Sequence, residues 1–268
     1  MSAVAAVARS MARHVGWLAG LALSITLCGC ALPRPTPVPM RVLKDLSNCA
    51  VRPTTLVLML PGAYSPPDEF IREGFVAALR ERGVAADVAI ADAHLGYFDN
   101  GSVLRRLRED VVLPARAAGY RNIWMVGISL GGFAALAYAA HHGADIDGVL
   151  AIAPYPGTQA LQREIIAAGG PMAWRRTAPP PTDAKLDRAV WWWLGGSAPV
   201  RRPPLYLGHG GDDRFADGLR LMAATLPAGH ARTVPGGHDW PPWRALWTEW
   251  LERGLLDTGC DPPGDRRP

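Results

Sequence analysis

Four cysteines occur in the 268 residues, and none stands in the C-x-x-C spacing of a zinc site. The chain also lacks internal repeats, a glycine-rich phosphate cradle and any cluster of metal-ligating residue types. Solenoids, phosphate-loop chemistry and a resident metal therefore have no basis in the sequence, and no cofactor is expected. Charge of neither sign dominates: 28 Lys and Arg stand against 24 Asp and Glu, a net +4 with a pI near 9.1. The arginines are scattered, not striped, so no nucleic-acid-binding face is expected, and attraction to anionic headgroups has weak support. The apolar run from Val15 to Leu27 falls short of the roughly 20 residues that span a bilayer. What remains is an apolar fraction of 49% and a length suited to one sizeable core.

The ends of the chain suggest where it works. Arg9 and Arg13 precede the apolar run, which leads into Leu27-Cys28-Gly29-Cys30. This reads as a signal peptide over residues 1–30. Its end resembles a bacterial lipobox, with Leu at −3, a small residue at −1, and Cys30 as the lipidated residue. An ordinary secretory leader is the alternative. A lipid on Cys30 would place the protein in the bacterial cell envelope, anchored to a membrane; otherwise it would be periplasmic or secreted. Residues 31–40, with alternating prolines from Pro33 to Pro39, read as an extended spacer. A domain is expected over 41–258 and a flexible tail over 259–268. With the leader removed and Cys30 modified, Cys49 and Cys260 remain, one near each end of the domain. In an oxidising compartment they can pair; two separate thiols are the alternative.

Between these ends, apolar strand-like runs alternate with helical ones. Strands are expected at 55–60, 85–91, 121–126, 147–152, 204–208 and 230–234. Helices are expected at 68–82, 101–118, 130–142, 214–226 and 242–253. Such alternation implies an α/β fold, a mostly parallel sheet with helices on both faces. The stretch 154–203 breaks the rhythm. It carries Trp174 and the run Trp191-Trp192-Trp193, which cannot all face one way. Those rings either pack on one another or line an apolar pocket with Trp192; a membrane-facing belt is the lesser alternative. Trp240, Trp243, Trp247 and Trp250 recur at helical spacing and should pack the last helix down.

The chemistry is carried by Gly127-Ile128-Ser129-Leu130-Gly131-Gly132, between a strand-like and a helical run. A G-x-S-x-G in that setting is a nucleophile elbow, a sharp turn that exposes the serine hydroxyl at its apex. After it, a short strand runs into His209-Gly210-Gly211-Asp212-Asp213-Arg214, and a last strand into Pro235-Gly236-Gly237-His238-Asp239-Trp240. Together these stretches resemble the α/β-hydrolases of the esterase and lipase kind, over roughly Thr54 to Leu256, and the resemblance implies that 154–203 is a cap insertion over the carboxyl ends of the strands. The H-G-x-x-D pattern implies Asp213 as the acid, with Asp212 as the alternative. The G-G-H turn implies His238 as the base. Ala93 to Tyr97, taken with the elbow, is also similar to uncharacterised bacterial lipoprotein hydrolases, a likeness that implies no substrate.

That resemblance implies a triad of Ser129, Asp213 and His238, in which the histidine takes the serine proton and the acid orients the imidazole. The oxyanion would be met by the N–H of Leu130 and by a donor in Pro61-Gly62-Ala63-Tyr64, where Pro61 replaces the family's usual His. Ala63 is the expected donor and Tyr64 the next. Tyr64, His94 and Trp192 are candidates for contact with a small-molecule ester. His141 and His142 end a helix and His209 should be structural, while Asp239 should point away from its neighbour His238. The same triad serves thioesters, peptides and acyl transfer, and a scaffold of this kind can also bind without catalysis.

Overall fold

The computed structural model describes residues 34–182, 185–196 and 203–260. The leader and Cys30 lie outside the described residues, as do parts of the cap and residues 261–268. In chain order the elements begin with β1 (Val42–Asp45), β2 (Thr55–Leu60), α1 (Glu69–Arg72), α2 (Phe75–Glu81), β3 (Ala86–Ala91) and α3 (Leu95–Asp99). Next come α4 (Val103–Leu107), a π-helical turn (Arg108–Val112), α5 (Leu113–Ala117), β4 (Asn122–Ile128), α6 (Leu130–His142) and β5 (Gly148–Ile152). Three helices follow, α7 (Gln159–Ala167), α8 (Pro171–Thr177) and α9 (Leu186–Leu194). The chain closes with β6 (Leu205–Gly210), α10 (Ala216–Ala223), β7 (Ala231–Val234) and α11 (Trp240–Glu252).

The seven strands form one sheet in the order β1-β3-β2-β4-β5-β6-β7. Among the described residues, only β1 runs antiparallel, at the edge beside β3. The sheet is buried on both faces, so the inner strands are apolar throughout and their side chains sort by parity. Along β2, Leu56, Leu58 and Leu60 join one core while Val57 and Met59 join the other. The first core packs under α4, α5, α6 and the cap helices, the second under α1, α2 and α11. This division follows from right-handed crossovers. The chain steps outward from β2 to β3, then returns past β2 to β4, so the connecting helices fall on opposite faces.

Two expected helices are subdivided. The one at 68–82 breaks at Gly74, whose φ of +79° no α-helix accommodates, leaving α1 and α2. The one at 101–118 widens into the π-helical turn just before Pro114, which has no N–H to give to the preceding turn. The compact unit that holds the sheet starts at Thr36. Met40 is buried in the core, and Tyr97 Oη donates to the carbonyl of Pro37 at 2.8 Å. At the other end, Cys49 and Cys260 are joined by a disulfide, and the Cys260 N–H donates to the Gly83 carbonyl at 3.0 Å.

Candidate active site

Parallel strands deliver their carboxyl ends to one edge of the sheet, and three such ends build the site. Ser129 follows β4, Asp213 follows β6, and His238 follows β7. Ser129 has φ +53° and ψ −115°, a conformation that side chains other than glycine rarely adopt. Three bonds hold it there. Its N–H donates to the Ile152 carbonyl at 2.9 Å, and its carbonyl accepts from Phe133 and Tyr155, each at 3.0 Å. The flanking glycines are required by the closeness of other backbone. A Cβ at Gly127 would stand 2.2 Å from the Gly131 carbonyl oxygen, and one at Gly131 would stand 2.0 Å from that of Leu60. A second strained residue lies one strand over: Ala153, after β5, has φ +44° and donates its N–H to the Gly208 carbonyl at 2.7 Å.

The acid and base loops are laced together. Gly211 and Asp212 donate their N–H groups to the carbonyls of Val234 and Gly236, at 2.8 and 2.9 Å. Gly210 leaves no room for a side chain, since its Cβ would fall 2.2 Å from the Gly236 carbonyl oxygen. The result is a continuous relay. His238 Nδ1 lies 2.8 Å from Asp213 Oδ2, and His238 Nε2 lies 2.9 Å from Ser129 Oγ. An ionised carboxylate only accepts, so Nδ1 carries the proton and Nε2 is free to accept from the serine hydroxyl. Asp213 is completely buried at its side chain, and its Oδ1 accepts from the Phe215 N–H at 2.8 Å. Asp212 and Asp239 are exposed. His209 is buried, its Nδ1–H donating to the Gly210 carbonyl at 2.7 Å.

The expected oxyanion donors also come to this edge. Leu130 opens α6, so its N–H belongs to the first turn, which has no intrahelical acceptor. The Pro61–Tyr64 loop abuts the serine, with a Cβ built on Gly62 standing 3.7 Å from Ser129 Cβ. Ala63 is half-buried in that loop, and Tyr64 is 90% exposed at its rim. The other two candidates, His94 and Trp192, make contacts of their own. His94 is buried and caps α3 by accepting from the Gly96 N–H at 3.2 Å, with its ring against Tyr97. Trp192 packs within the cap, edge-on to Trp174, with the Arg175 guanidinium 5.1 Å from its ring centre.

Some residues at the site carry no motif that would single them out. The edges of Phe215 and Trp243 meet the His238 ring, with centroids at 5.1 and 5.2 Å. Tyr155 stacks edge-on between Phe215 and Phe133 and so continues an aromatic wall away from the imidazole. Burial, and secondarily the Asp187 carboxylate, raises its phenol pKa. For Trp243 the sequence carried a signal, its place in the tryptophan series of the last helix, but that signal reads as packing.

Neither a protein-family model nor a curated protein sequence matches the chain. Solved structures do. A substrate-bound fluorophosphonate-binding serine hydrolase F of Staphylococcus aureus aligns over 81% of this chain and 93% of its own, at 14% identity and a TM-score of 0.58. Est1E from Butyrivibrio proteoclasticus aligns over 81% and 93%, at 17% identity and a TM-score of 0.58. A monoacylglycerol lipase of Paleococcus ferrophilus aligns over 82% and 99%, at 13% identity and a TM-score of 0.54. Nearly the whole of each of these proteins finds a counterpart here, at identities that speak for architecture alone: the chain has the α/β-hydrolase fold.

Proposed function

We propose that the chain is a serine hydrolase that cleaves carboxylic esters through an acyl-enzyme, exported and held at the cell envelope by a lipid on Cys30. The observation that carries the catalytic reading is the relay from Ser129 Oγ through His238 to Asp213, mounted on a strained turn. A hydroxyl is a weak nucleophile at neutral pH. As Ser129 Oγ attacks the ester carbonyl, its proton passes to His238 Nε2, and the carbonyl oxygen takes the negative charge. Asp213 holds the imidazole tautomer and stabilises the imidazolium without taking the proton itself. His238 then gives its proton to the departing alcohol, leaving an acyl group on Ser129. Water, deprotonated by the same imidazole, releases the acid and restores the serine. The N–H of Leu130 and that of Ala63 are the proposed donors to the oxyanion, each worth about 3–4 kcal/mol of barrier.

Similar folds support the class of bond. One is a fluorophosphonate-binding serine hydrolase, one is a monoacylglycerol lipase, and Est1E has been seen with ferulic acid bound. The test is to treat the full chain and its Ser129→Ala variant with a fluorophosphonate probe and a series of nitrophenyl esters. Labelling should vanish in the variant, and turnover should fall by on the order of 10⁶. Equal labelling of the variant would remove Ser129 from its role, and a folded wild type that takes no label would favour a binding protein. The anchor is tested in parallel: Cys30→Ala should shift the protein from the membrane fraction to the soluble one, and an unchanged distribution would overturn lipidation there.

A further inference from the structure

A cleft of about 530 Å³ opens beside the relay and shares a wall with it. The shared wall is Phe215 and Tyr155. Phe215 donates its N–H to the catalytic carboxylate and turns its ring edge to His238, and Tyr155 donates its N–H to the Ser129 carbonyl. The opposite wall is α7, which presents Gln159, Gln162, Arg163 and Ile166 to the cleft. Those positions are i, i+3, i+4 and i+7, one face of a helix, while Leu161 and Ile165 bury the other. The helix reaches this close because Gly218 has no side chain. A Cβ there would stand 2.6 Å from Gln162 Oε1 and 2.8 Å from Pro156.

The charge in this cleft is unbalanced. Arg163 and Arg214 both line it, and among the described residues neither forms an ion pair. The Arg214 guanidinium lies 4.9 Å over the Phe215 ring, so it is held on the wall that adjoins the imidazole. The acidic lining residue, Asp217, is 94% exposed at its side chain and paired with Arg220. Asp187, not itself a lining residue, lies close by: its carboxylate acts on Tyr155, and a Cβ on Gly157 would stand 3.6 Å from its Oδ2. Two guanidiniums without an ion-pair partner among the described residues, lining an open cleft next to a nucleophile, form a place for a planar or tetrahedral anion.

We infer that Arg163 and Arg214 bind the anionic end of the substrate, an ester that carries a carboxylate or a phosphate in its acyl or its alcohol part. This rests on the ester-hydrolase reading above and adds a substrate class to it. Such a site acts as a filter: neutral esters reach the serine, but anionic ones are held across the Phe215 wall while they react. The preference should weaken with salt, because both arginines are exposed and their field is screened within roughly 10 Å at 0.1 M ionic strength.

The experiment compares kcat/KM for two matched pairs on the full chain. One pair is 4-nitrophenyl hydrogen glutarate against 4-nitrophenyl pentanoate, with a carboxylate on the acyl side. The other is 3-acetoxypropyl phosphate against propyl acetate, with a phosphate on the alcohol side. At least one anionic ester should exceed its neutral partner by about tenfold, equivalent to about 1.4 kcal/mol shared between two exposed arginines. That ratio should collapse in Arg163→Gln/Arg214→Gln and persist in part in Arg163→Lys/Arg214→Lys. The pair that shows the excess tells a carboxylate on the acyl side from a phosphate on the alcohol side. Ratios near one for both pairs, or a ratio untouched by the double variant, would overturn the inference. If all four esters are inert, the hydrolase reading has failed, and titration calorimetry with glutarate and inorganic phosphate decides the cleft alone. Binding that disappears in the Gln double variant supports the site, and absence of binding overturns it.

Discussion

Asp213 divides its two carboxylate oxygens between His238 Nδ1, at 2.8 Å, and the Phe215 N–H, at 2.8 Å, while Asp212 beside it faces solvent. The two aspartates should therefore answer mutation very differently. An amide at 213 keeps the shape but can present an N–H₂ group to Nδ1, which favours the imidazole tautomer with its proton on Nε2, where it cannot accept from the serine. Turnover of a nitrophenyl ester by Asp213→Asn should fall by about 10⁴, and Asp212→Asn should stay within a few fold of wild type. A reversal of the two would move the acid to Asp212. The candidate site was legible at this scale because each triad member sits in a short local pattern with its glycines, although Gly127 answers to nearby backbone, at Gly131, while Gly131 answers to Leu60 on β2 and Gly210 to Gly236 beyond β7. Phe215, Trp243 and Tyr155 were not legible as site residues. Their roles depend on which strand ends become neighbours, and no local pattern encodes that. His94, whose position after a strand suggested a pocket, accepts the Gly96 N–H at the start of a helix, a contact that the sequence did not single out.

The cap elements are tied together by one carboxylate. Glu164 on α7 accepts from Trp174 Nε1 on α8 at 2.8 Å, and from Arg188 Nη1 and Nη2 on α9 at 2.8 and 2.9 Å. The bonds from Arg188, then the one from Trp174, hold its pKa down at about 2 against an ordinary 4.5. A depressed pKa means the native state favours the ionised form. The associated stability is therefore fully present above pH 4.5 and is lost as pH falls from 4.5 towards 2. The Glu164 side chain is 47% exposed, so solvent screening keeps the contribution near pH 7 below about 1 kcal/mol. Glu164→Gln should be destabilised by that amount in urea unfolding at pH 7, with the gap to wild type closing between pH 4.5 and 2. A gap that is constant across this range would mean the tie is not ionic. From the sequence, the alternating elements and the break at 154–203 could be read from periodicity, since the parallel strands are apolar throughout and the last helix repeats its tryptophans every three or four residues. The cap's internal order could not, because Glu164 finds its partners 10 and 24 residues away. The subdivision of 68–82 and 101–118 traces to Gly74 and Pro114, both visible in the sequence as residues that helices tolerate poorly.

Across the whole molecule, the sheet separates chemistry from fastening. The triad sits at the carboxyl ends of the parallel strands, whereas the segment ending in Cys260 is pinned at the amino end of β3. There, Ala85 donates its N–H to the Asp257 carbonyl at 2.9 Å, and Gly83 accepts from Cys260 at 3.0 Å. The disulfide from Cys260 to Cys49 then ties that segment to the stretch leaving β1, the edge strand, across a sequence separation of 211. Closing so long a loop restricts the unfolded chain by up to roughly 5 kcal/mol, with smaller values usual when the unfolded state keeps some structure. Because the bridge is at the opposite edge from Ser129, its loss should lower stability without touching the relay. The comparison is urea unfolding of the oxidised protein, the dithiothreitol-reduced protein and Cys49→Ala/Cys260→Ala, with nitrophenyl-ester turnover measured on each at 25 °C. The reduced and doubly substituted forms should unfold at lower urea by matching amounts and keep kcat within about twofold. Unchanged unfolding midpoints would mean the hydrogen bonds at Gly83 and Ala85 already hold the segment. A fall in kcat parallel to the loss of stability would mean that order at the amino edge of β3 reaches Ser129 through β2, which lies between β3 and β4 in the sheet.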